Sequence, residues 1–442
     1  MELLDNPVRK YAWGSRTVIA RLQNRQVPSP HPEAELWLGA HPGDPSYLVD
    51  EHGNRESLLA ALRRDPVARL GADCARRWAG RLPFLLKLLA AEEPLSLQAH
   101  PGAPAARAGF AREEAEGLAA DDPRRNYKDD SHKRELVCAL TEFHALVGFR
   151  EPAATVRLLR ELAVPELAGH VQLLAEQPDS AGLRALFSTW ITLPQQSLDR
   201  LVPAVREGCL RLLERAPAGF RDEARTVLEL SERYPGDAGV LAALLLNRIT
   251  LAPGQALYQA DGVLHAYLSG VGIELMANSD NVLRGGLTPK HVDVPELLRI
   301  LDFSSGPAPI VASHTEGVLT RYHKVAEEFR LWRLEWSEEH SGDVVPLPKD
   351  GPRILLCTEG KVKITAGSGR SLAIARGESA WLDAADLEVK AASVDAPAQL
   401  FLATDGLRRP GCCSPDLTSR PRQEQQRVLK NTHSGGHRRA GG

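Results

Sequence analysis

Residues 152–233 carry a helical period, while the stretches before and after them carry a strand period. In 152–233 leucines, arginines and glutamates recur about every 3.6 residues, as at Val156, Leu159 and Leu162 and again at Val205, Leu212 and Leu213. The spacing predicts several amphipathic helices, broken at Pro165, Pro194 and Pro203. Little in this segment can do chemistry, so it reads as a helical insertion, 151–235, that covers or shapes a site formed elsewhere. The expected fold is mainly β with an α insertion.

The flanks support that division. Residues 33–45 alternate and then turn at Gly43-Asp44; His41 within them reads as a structural or solvated loop histidine. Residues 57–78 have helical spacing, with Ser57 as the expected N-cap. Residues 82–89 are nearly all apolar and predict a buried strand, yet they include Lys87. A buried ammonium needs a partner or a ligand; otherwise its head must reach solvent at a strand end. Residues 103–120 predict a helix. Strand character returns at Ile249-Thr250-Leu251, with Pro253-Gly254 as a turn, and residues 295–301 predict a short helix. Residues 318–404 read as short strands divided by glycine turns, the pattern of a sandwich or jelly roll.

Composition sets bounds on function. A chain of 442 residues predicts two or three domains. The formal net charge of −3 gives no global pull toward nucleic acid or an anionic membrane. Met1-Glu2-Leu3-Leu4-Asp5 lacks the basic and apolar regions of a signal peptide, and apolar runs such as 240–246 are too short to span a bilayer. The six cysteines, Cys74, Cys138, Cys209, Cys357, Cys412 and Cys413, form no CxxC pair. That spacing argues against a disulfide framework or a thiolate zinc site, and a cytoplasmic protein is expected. Residues 406–442 are basic and poor in large apolar side chains, so a disordered tail is expected.

Three stretches hold the chemistry. Leu95-Ser96-Leu97-Gln98-Ala99-His100-Pro101 alternates like a short strand, which puts Gln98 and His100 on one face. Those two side chains make either a polar strand face or two corners of a metal site. Tyr127-Lys128-Asp129-Asp130-Ser131-His132-Lys133-Arg134-Glu135 crowds acids, bases and an imidazole ahead of an apolar strand. The third runs through His265 and Glu274 to Asp280 and Arg284. Arg284 precedes Gly285-Gly286, a context that suits a bidentate grip on phosphate. Together Gln98, His100, Glu135 and His265 offer an N/O ligand set with one carboxylate. A divalent ion held there keeps net positive charge and remains a Lewis acid; ligand type alone allows zinc, manganese, cobalt or iron.

At this point the motifs resemble those of the type I phosphomannose isomerases. They are YAWGS at 11–15, AELWLGAHP at 34–42, LPFLLKLL at 82–89, LSLQAHP at 95–101, NYKDDSHKRE at 126–135, YPGDAGVLAALLLNRITLAPG at 234–254 and LHAYLSGVGIELMANSDNVLRGGLTPKHVDVPEL at 264–297. The resemblance covers about 6–303 and weakens through the C-terminal β region. It implies cupin-like jelly-roll domains plus a helical domain. The implied divisions are a discontinuous metal-binding domain (1–150 and 236–310), the insertion 151–235, a C-terminal jelly roll (311–405) and the tail.

The resemblance also implies one Zn2+ on Gln98, His100, Glu135 and His265, and an active-site role for Arg284. It implies reversible conversion of mannose 6-phosphate to fructose 6-phosphate through an enediol, in a monomeric enzyme that needs no nucleic acid and no membrane. Such chemistry needs a base between C1 and C2 and electrophilic help at oxygen. Lys133 and His132 are the leading acid–base candidates. Lys87, Glu274 and Asp280 are candidate substrate contacts. Arg134 stands where the family usually has proline, which places a charge beside the site and removes a φ restraint before Glu135. Two rival readings are a cupin-type metal oxygenase using iron and a sugar-phosphate-binding module without turnover.

Overall fold

A computed structural model of the chain describes residues 1–215, 219–323, 325–349 and 351–407. The disorder expected of 408–442, and the vicinal Cys412-Cys413, lie outside the described residues. Gly406, placed in the tail by sequence, is packed: its N–H donates to Glu327 O at 2.9 Å.

Two large antiparallel sheets, each of eleven strands among the described residues, make up the β part. One is built on Ile310–Val311, Ala256–Gln259, Glu135–Ala139, His265–Ala277, Phe84–Ala91, Glu35–Leu38 and Val8–Arg9, in that order. The other is built mainly from strands after residue 312, but Glu2–Asp5 also belongs to it, paired with Ser379–Leu382 and with Tyr47–Val49. The expected boundaries did not anticipate this exchange. Leu4 explains it: it is buried in the apolar layer between the sheets, together with Ile354, Trp381 and Phe401.

Phe84–Ala91 shows how the strand period builds both layers. Phe84, Leu86, Leu88 and Ala90 pack into that inter-sheet layer, each large side chain contributing roughly 1.5–3 kcal/mol by leaving water. Leu85, Lys87, Leu89 and Ala91 point the opposite way. Register then extends this second face across neighbouring strands, because directly opposed residues share a face. Trp37 lies opposite Lys87, Lys87 opposite Glu274, Glu274 opposite Val137, and Glu135 opposite both Met276 and Gln259. Six polar or aromatic residues that are scattered through the sequence, Glu35, Trp37, Lys87, Glu135, Gln259 and Glu274, thus line one interior surface.

The long strand His265–Ala277 is shared. Its first half pairs with Phe143–Phe149 and with Gln98, its second half with Phe84–Ala91 and Glu135–Ala139. Gly270, at φ +123°, sits at the change of partners, where a Cβ would lie 2.7 Å from Glu142 O. Only glycine lets the strand bend there.

Helices Pro152–Glu161, Ala168–Glu176, Ser180–Ile191, Gln195–Glu214 and Arg221–Arg233 occupy the expected insertion, around a core that includes Leu158, Leu186, Phe187, Trp190 and Val205. Two details differ from expectation. The helix Gln195–Glu214 runs through Pro203. A helical proline costs about 3 kcal/mol, and burial of Leu198, Leu201, Val202, Val205, Cys209 and Leu212 on both sides of it offsets that. Ser57 does precede Leu58–Arg64, but its side chain makes no capping bond. Among the described residues, no helix is long and apolar enough to cross a membrane.

Candidate metal centre

Three antiparallel strands bring the first polar row together. Gln98 lies directly opposite His265 on one side and Arg284 on the other. The strand Leu97–Ala99 ends just before His100, whose carbonyl oxygen accepts the N–H of Gly262 at 2.8 Å. Glu135 opens its own strand and reaches the same place from the opposite wall.

His100, Glu135 and His265 form one cluster, with potential ligand atoms all within 4.8 Å of one another. His100 Nε2 is 3.3 Å from Glu135 Oε1, and His265 Nε2 is 3.5 Å from Glu135 Oε2. All three residues are buried, at 1–2 % exposure. Each imidazole has its Nδ1 engaged by a main-chain carbonyl: Asn281 O for His100 at 2.8 Å, and Val263 O for His265 at 2.9 Å. A carbonyl only accepts, so Nδ1 carries the proton and Nε2 offers its lone pair. Both Nε2 atoms are buried without a hydrogen-bond partner. Burial holds the His100 imidazole down at about 4, with Lys133 adding to the effect, so it is neutral near pH 7.

These residues fit a divalent ion. Donor atoms about 2.0–2.1 Å from a tetrahedral zinc sit about 3.3 Å apart, close to the separations seen here. Two imidazoles and a carboxylate, each imidazole oriented by an outer carbonyl, are the donor set such an ion takes. Gln98 stands directly beside His265 in register, at the edge of the cluster. Lys133 Nζ lies 2.7 Å from Glu135 Oε1.

Below this cluster runs a buried polar chain. Gln259 Nε2 donates to Tyr267 Oη at 3.0 Å, and Tyr267 donates to Glu274 Oε1 at 3.0 Å. Lys87 Nζ meets Glu274 Oε2 at 3.1 Å and Glu35 Oε1 at 3.5 Å. Trp37 Nε1 donates to Glu35 Oε2 at 2.8 Å. Lys87 therefore has its partners within the interior and does not reach out at a strand end. Burial opposes its charge, but Glu35 and Glu274 raise its pKa well above the ordinary lysine range.

Not every candidate from the sequence converges here. His132 Nε2 points to Glu328 Oε1 at 3.1 Å, and Glu328 belongs to the C-terminal region. Asp280 faces His41 Nε2 at 3.3 Å, which gives His41 a partner the sequence did not reveal. Burial would raise the Asp280 carboxyl, but the His41 contact, together with Lys133 and Lys128, outweighs it and brings it to about 2. Arg134 does not leave a loose charge: it forms a bidentate pair with Asp261, at 3.0 and 2.8 Å. The glycines after Arg284 serve packing. A Cβ on Gly286 would come within 2.7 Å of Gly239 Cα, where the helix Gly239–Ala243 starts, and one on Gly285 would lie 3.1 Å from Leu264 Cδ1, so both glycines face packed protein.

Arg284 is half-buried, and among the described residues its guanidinium has no ion-pair or hydrogen-bond partner. Burial pushes its pKa down. Lys290 is pushed down by burial and then by Arg284 and Lys128, so both cations lie within electrostatic reach of it. The sequence reading did not select Lys128 or Lys290. Their signal was present: one opens the crowded 128–135 stretch and the other follows Arg284 by six residues. Asn281 was also missed. It is fully buried, and its side chain accepts the N–H of Lys128 at 2.7 Å and of Asp129 at 3.2 Å, and donates to Ser131 O at 2.7 Å.

Comparisons with known proteins agree with this geometry. Residues 1–152 match the family described as phosphomannose isomerase type I, catalytic domain. The mannose-6-phosphate isomerase of Escherichia coli K12 is 38% identical over 389 residues, covering 87% of this chain and 95% of that one. The protein of the same name from Pan troglodytes is 33% identical, covering 81% and 87%. A crystal structure of a phosphomannose isomerase mutant from Salmonella typhimurium superimposes with a TM-score of 0.83 at 34% identity, covering 92% of this chain and 100% of that one. A zinc-bound mannose 6-phosphate isomerase structure gives 0.82 at 34%, covering 92% and 99%. The fold is therefore the cupin-like one of these enzymes, and the chain belongs to the type I phosphomannose isomerase family.

Proposed function

We propose that the chain is a zinc-dependent isomerase that interconverts mannose 6-phosphate and fructose 6-phosphate, with Gln98, His100, Glu135 and His265 holding the metal. The observation that carries this reading is the pair of buried, unpartnered Nε2 atoms of His100 and His265, both facing Glu135. Zinc bound there supplies electrophilic polarisation of the sugar's oxygens.

The chain's own residues do the rest. Arg284, with Lys290 and Lys128 at the rim, binds the phosphate, because a dianion suits a half-buried guanidinium that has no ion-pair partner among the described residues and a neighbouring Lys290 that Arg284 and Lys128 both repel. That anchor fixes C1 and C2 over the cluster, and fixed geometry removes much of the entropic part of the barrier. Lys133 Nζ, at 2.7 Å from Glu135, holds or moves the proton that passes between C1 and C2 through the enediol. His132, directed to Glu328, anchors the segment that carries Lys133 and Glu135. Lys87 and Glu274 form a rigid polar floor for the sugar hydroxyls, and Asp280 stands at the rim.

The division of the chain belongs to the same proposal: a metal-binding unit from 1–150 and 236–310 that lends Glu2–Asp5, Tyr47–Val49 and Arg55–Ser57 to its companion's sheet, the insertion 151–235, and a companion jelly roll 311–405. A monomeric enzyme belongs to the same proposal. A cytoplasmic setting suits the buried free thiols of Cys138, Cys209 and Cys357.

The test is conversion of mannose 6-phosphate followed by NMR, before and after chelation and after zinc is restored. Turnover that disappears with the metal and returns with it is expected. A zinc-replete protein that binds the sugar phosphate without converting it overturns the enzyme in favour of a binding module.

A further inference from the structure

Arg134 and Asp261 are joined by two parallel N–H···O bonds, Nε to Oδ1 at 3.0 Å and Nη2 to Oδ2 at 2.8 Å. Neither residue touches the metal cluster. Arg134 immediately precedes Glu135, and its carbonyl oxygen accepts the N–H of Ala277 at 2.9 Å. Asp261 immediately precedes Gly262, whose N–H donates to His100 O at 2.8 Å. Gly262 sits at φ +77°, in the turn that leads through Val263 to His265, and Val263 O orients the His265 ring. Asp261 is also seated on Gly102, where a Cβ would lie 3.3 Å from its Oδ2. Gly102 follows His100 by two residues. One carboxylate therefore meets the segment after His100, the segment before Glu135 and the turn before His265.

We propose that the Arg134–Asp261 pair is a positioning clamp: it ties together the three segments that carry His100, Glu135 and His265, and so sets how long the site retains its metal. The inference rests on the metal reading proposed above. The clamp is conditional on charge. Its side chains are 34% and 28% exposed, so salt screens the pair and its contribution to global stability is small. Its leverage is geometric, because a bidentate fork fixes both the separation and the orientation of the two backbones that launch Glu135 and His265. Groups that orient metal ligands in this way commonly change metal affinity by about 10–100-fold when removed.

The experiment measures release of zinc from the full-length loaded protein into excess chromogenic chelator. Wild type, Asp261→Asn, Arg134→Ala and the double variant are compared. Each single substitution is expected to speed release by about tenfold. The double variant is expected to be no faster than either single, since the two residues act as one unit. Raising salt from about 0.05 M to about 0.5 M is expected to speed release from wild type and to leave Asp261→Asn unchanged, a response that a purely structural role does not produce. Arg134→Pro, which replaces the ion pair by a fixed φ, is expected to retain zinc better than Arg134→Ala. If Arg134→Ala does not fold, the isosteric Asp261→Asn carries the test alone. Single variants that release zinc within about twofold of wild type, or a double variant whose effect is the product of the two, overturn the clamp. A wild type that holds no zinc overturns the metal reading first, and the clamp with it.

Discussion

His100 Nδ1 lies 2.8 Å from the main-chain oxygen of Asn281, so the residue that orients a proposed ligand also organises the loop beside it. The Asn281 side chain bonds to Lys128 N, Asp129 N and Ser131 O, and it is fully buried. Asn281→Ala removes those bonds and leaves buried main-chain groups without partners, each worth about 1–3 kcal/mol. The expected loss is roughly 3 kcal/mol of folding stability, read by urea unfolding, with turnover reduced at least about tenfold because the loop carries Lys133. An unfolding midpoint that does not move would mean that water or a neighbour takes over the amide's bonds.

Two further variants distinguish metal retention from turnover. His265→Ala removes a buried donor from a cluster of three, and loss of bound zinc and of activity together is expected. Arg284→Ala leaves that cluster intact, so zinc content by elemental analysis is expected to stay normal while turnover falls by about 100-fold or more. Zinc lost from Arg284→Ala would contradict the division of labour, as would an active, metal-replete His265→Ala.

Residue type and period made much of this legible. Period-2 alternation around Gln98, the apolar run interrupted by Lys87, and the 3.6-residue period after Pro152 each matched an element, because each reports local burial on a strand or helix. The motifs located Glu135, His265 and Arg284 in the chain. What was not legible is register. Nothing in the sequence places Asp261 against Arg134, Glu328 against His132 or His41 against Asp280, since these pairs are closed by strands that meet only after folding. The same is true of Glu2–Asp5, whose sheet lies at the far end of the sequence. Pro203 misled for a related reason: propensity is local, and buried side chains on both sides of it override the break.

Acid sensitivity is expected to centre on Glu296. Burial would raise its carboxyl, but Arg299 (Nε to Oε2, 3.0 Å), Tyr127 and Arg112 bring it down to about 2 from an ordinary value of 4.5. A folded value below the unfolded one means that the contribution is fully present above about pH 4.5 and is lost as the pH falls toward 2. Its size at neutral pH is about 2 kcal/mol after allowance for screening. Glu296→Gln is therefore expected to be less stable than wild type at pH 7 and to show a flatter acid limb in thermal unfolding between pH 5 and 3. Parallel limbs for the two proteins would move the acid response to another carboxylate.

The last prediction concerns the polar floor. Lys87 Nζ is the cation between Glu274 Oε2 at 3.1 Å and Glu35 Oε1 at 3.5 Å, and all three residues are buried. Lys87→Met fills similar volume but leaves two carboxyls without a countercharge, a change that costs about 3–5 kcal/mol at neutral pH. Burial already raises the Glu274 carboxyl against the pull of Lys87, and removing the lysine raises it further. A folded value above the unfolded one makes the native state the tighter proton binder. The variant's deficit is therefore small in acid and grows as the pH rises through 4.5 toward the folded value. Urea unfolding at acidic and at neutral pH reads the difference directly. Adding Glu274→Gln to Lys87→Met removes one of the stranded charges, so the double variant is expected to recover part of the loss and to depend less on pH. A deficit that is the same at both pH values, or a double variant weaker than the single, would show that Glu274 does not depend on Lys87 for its charge.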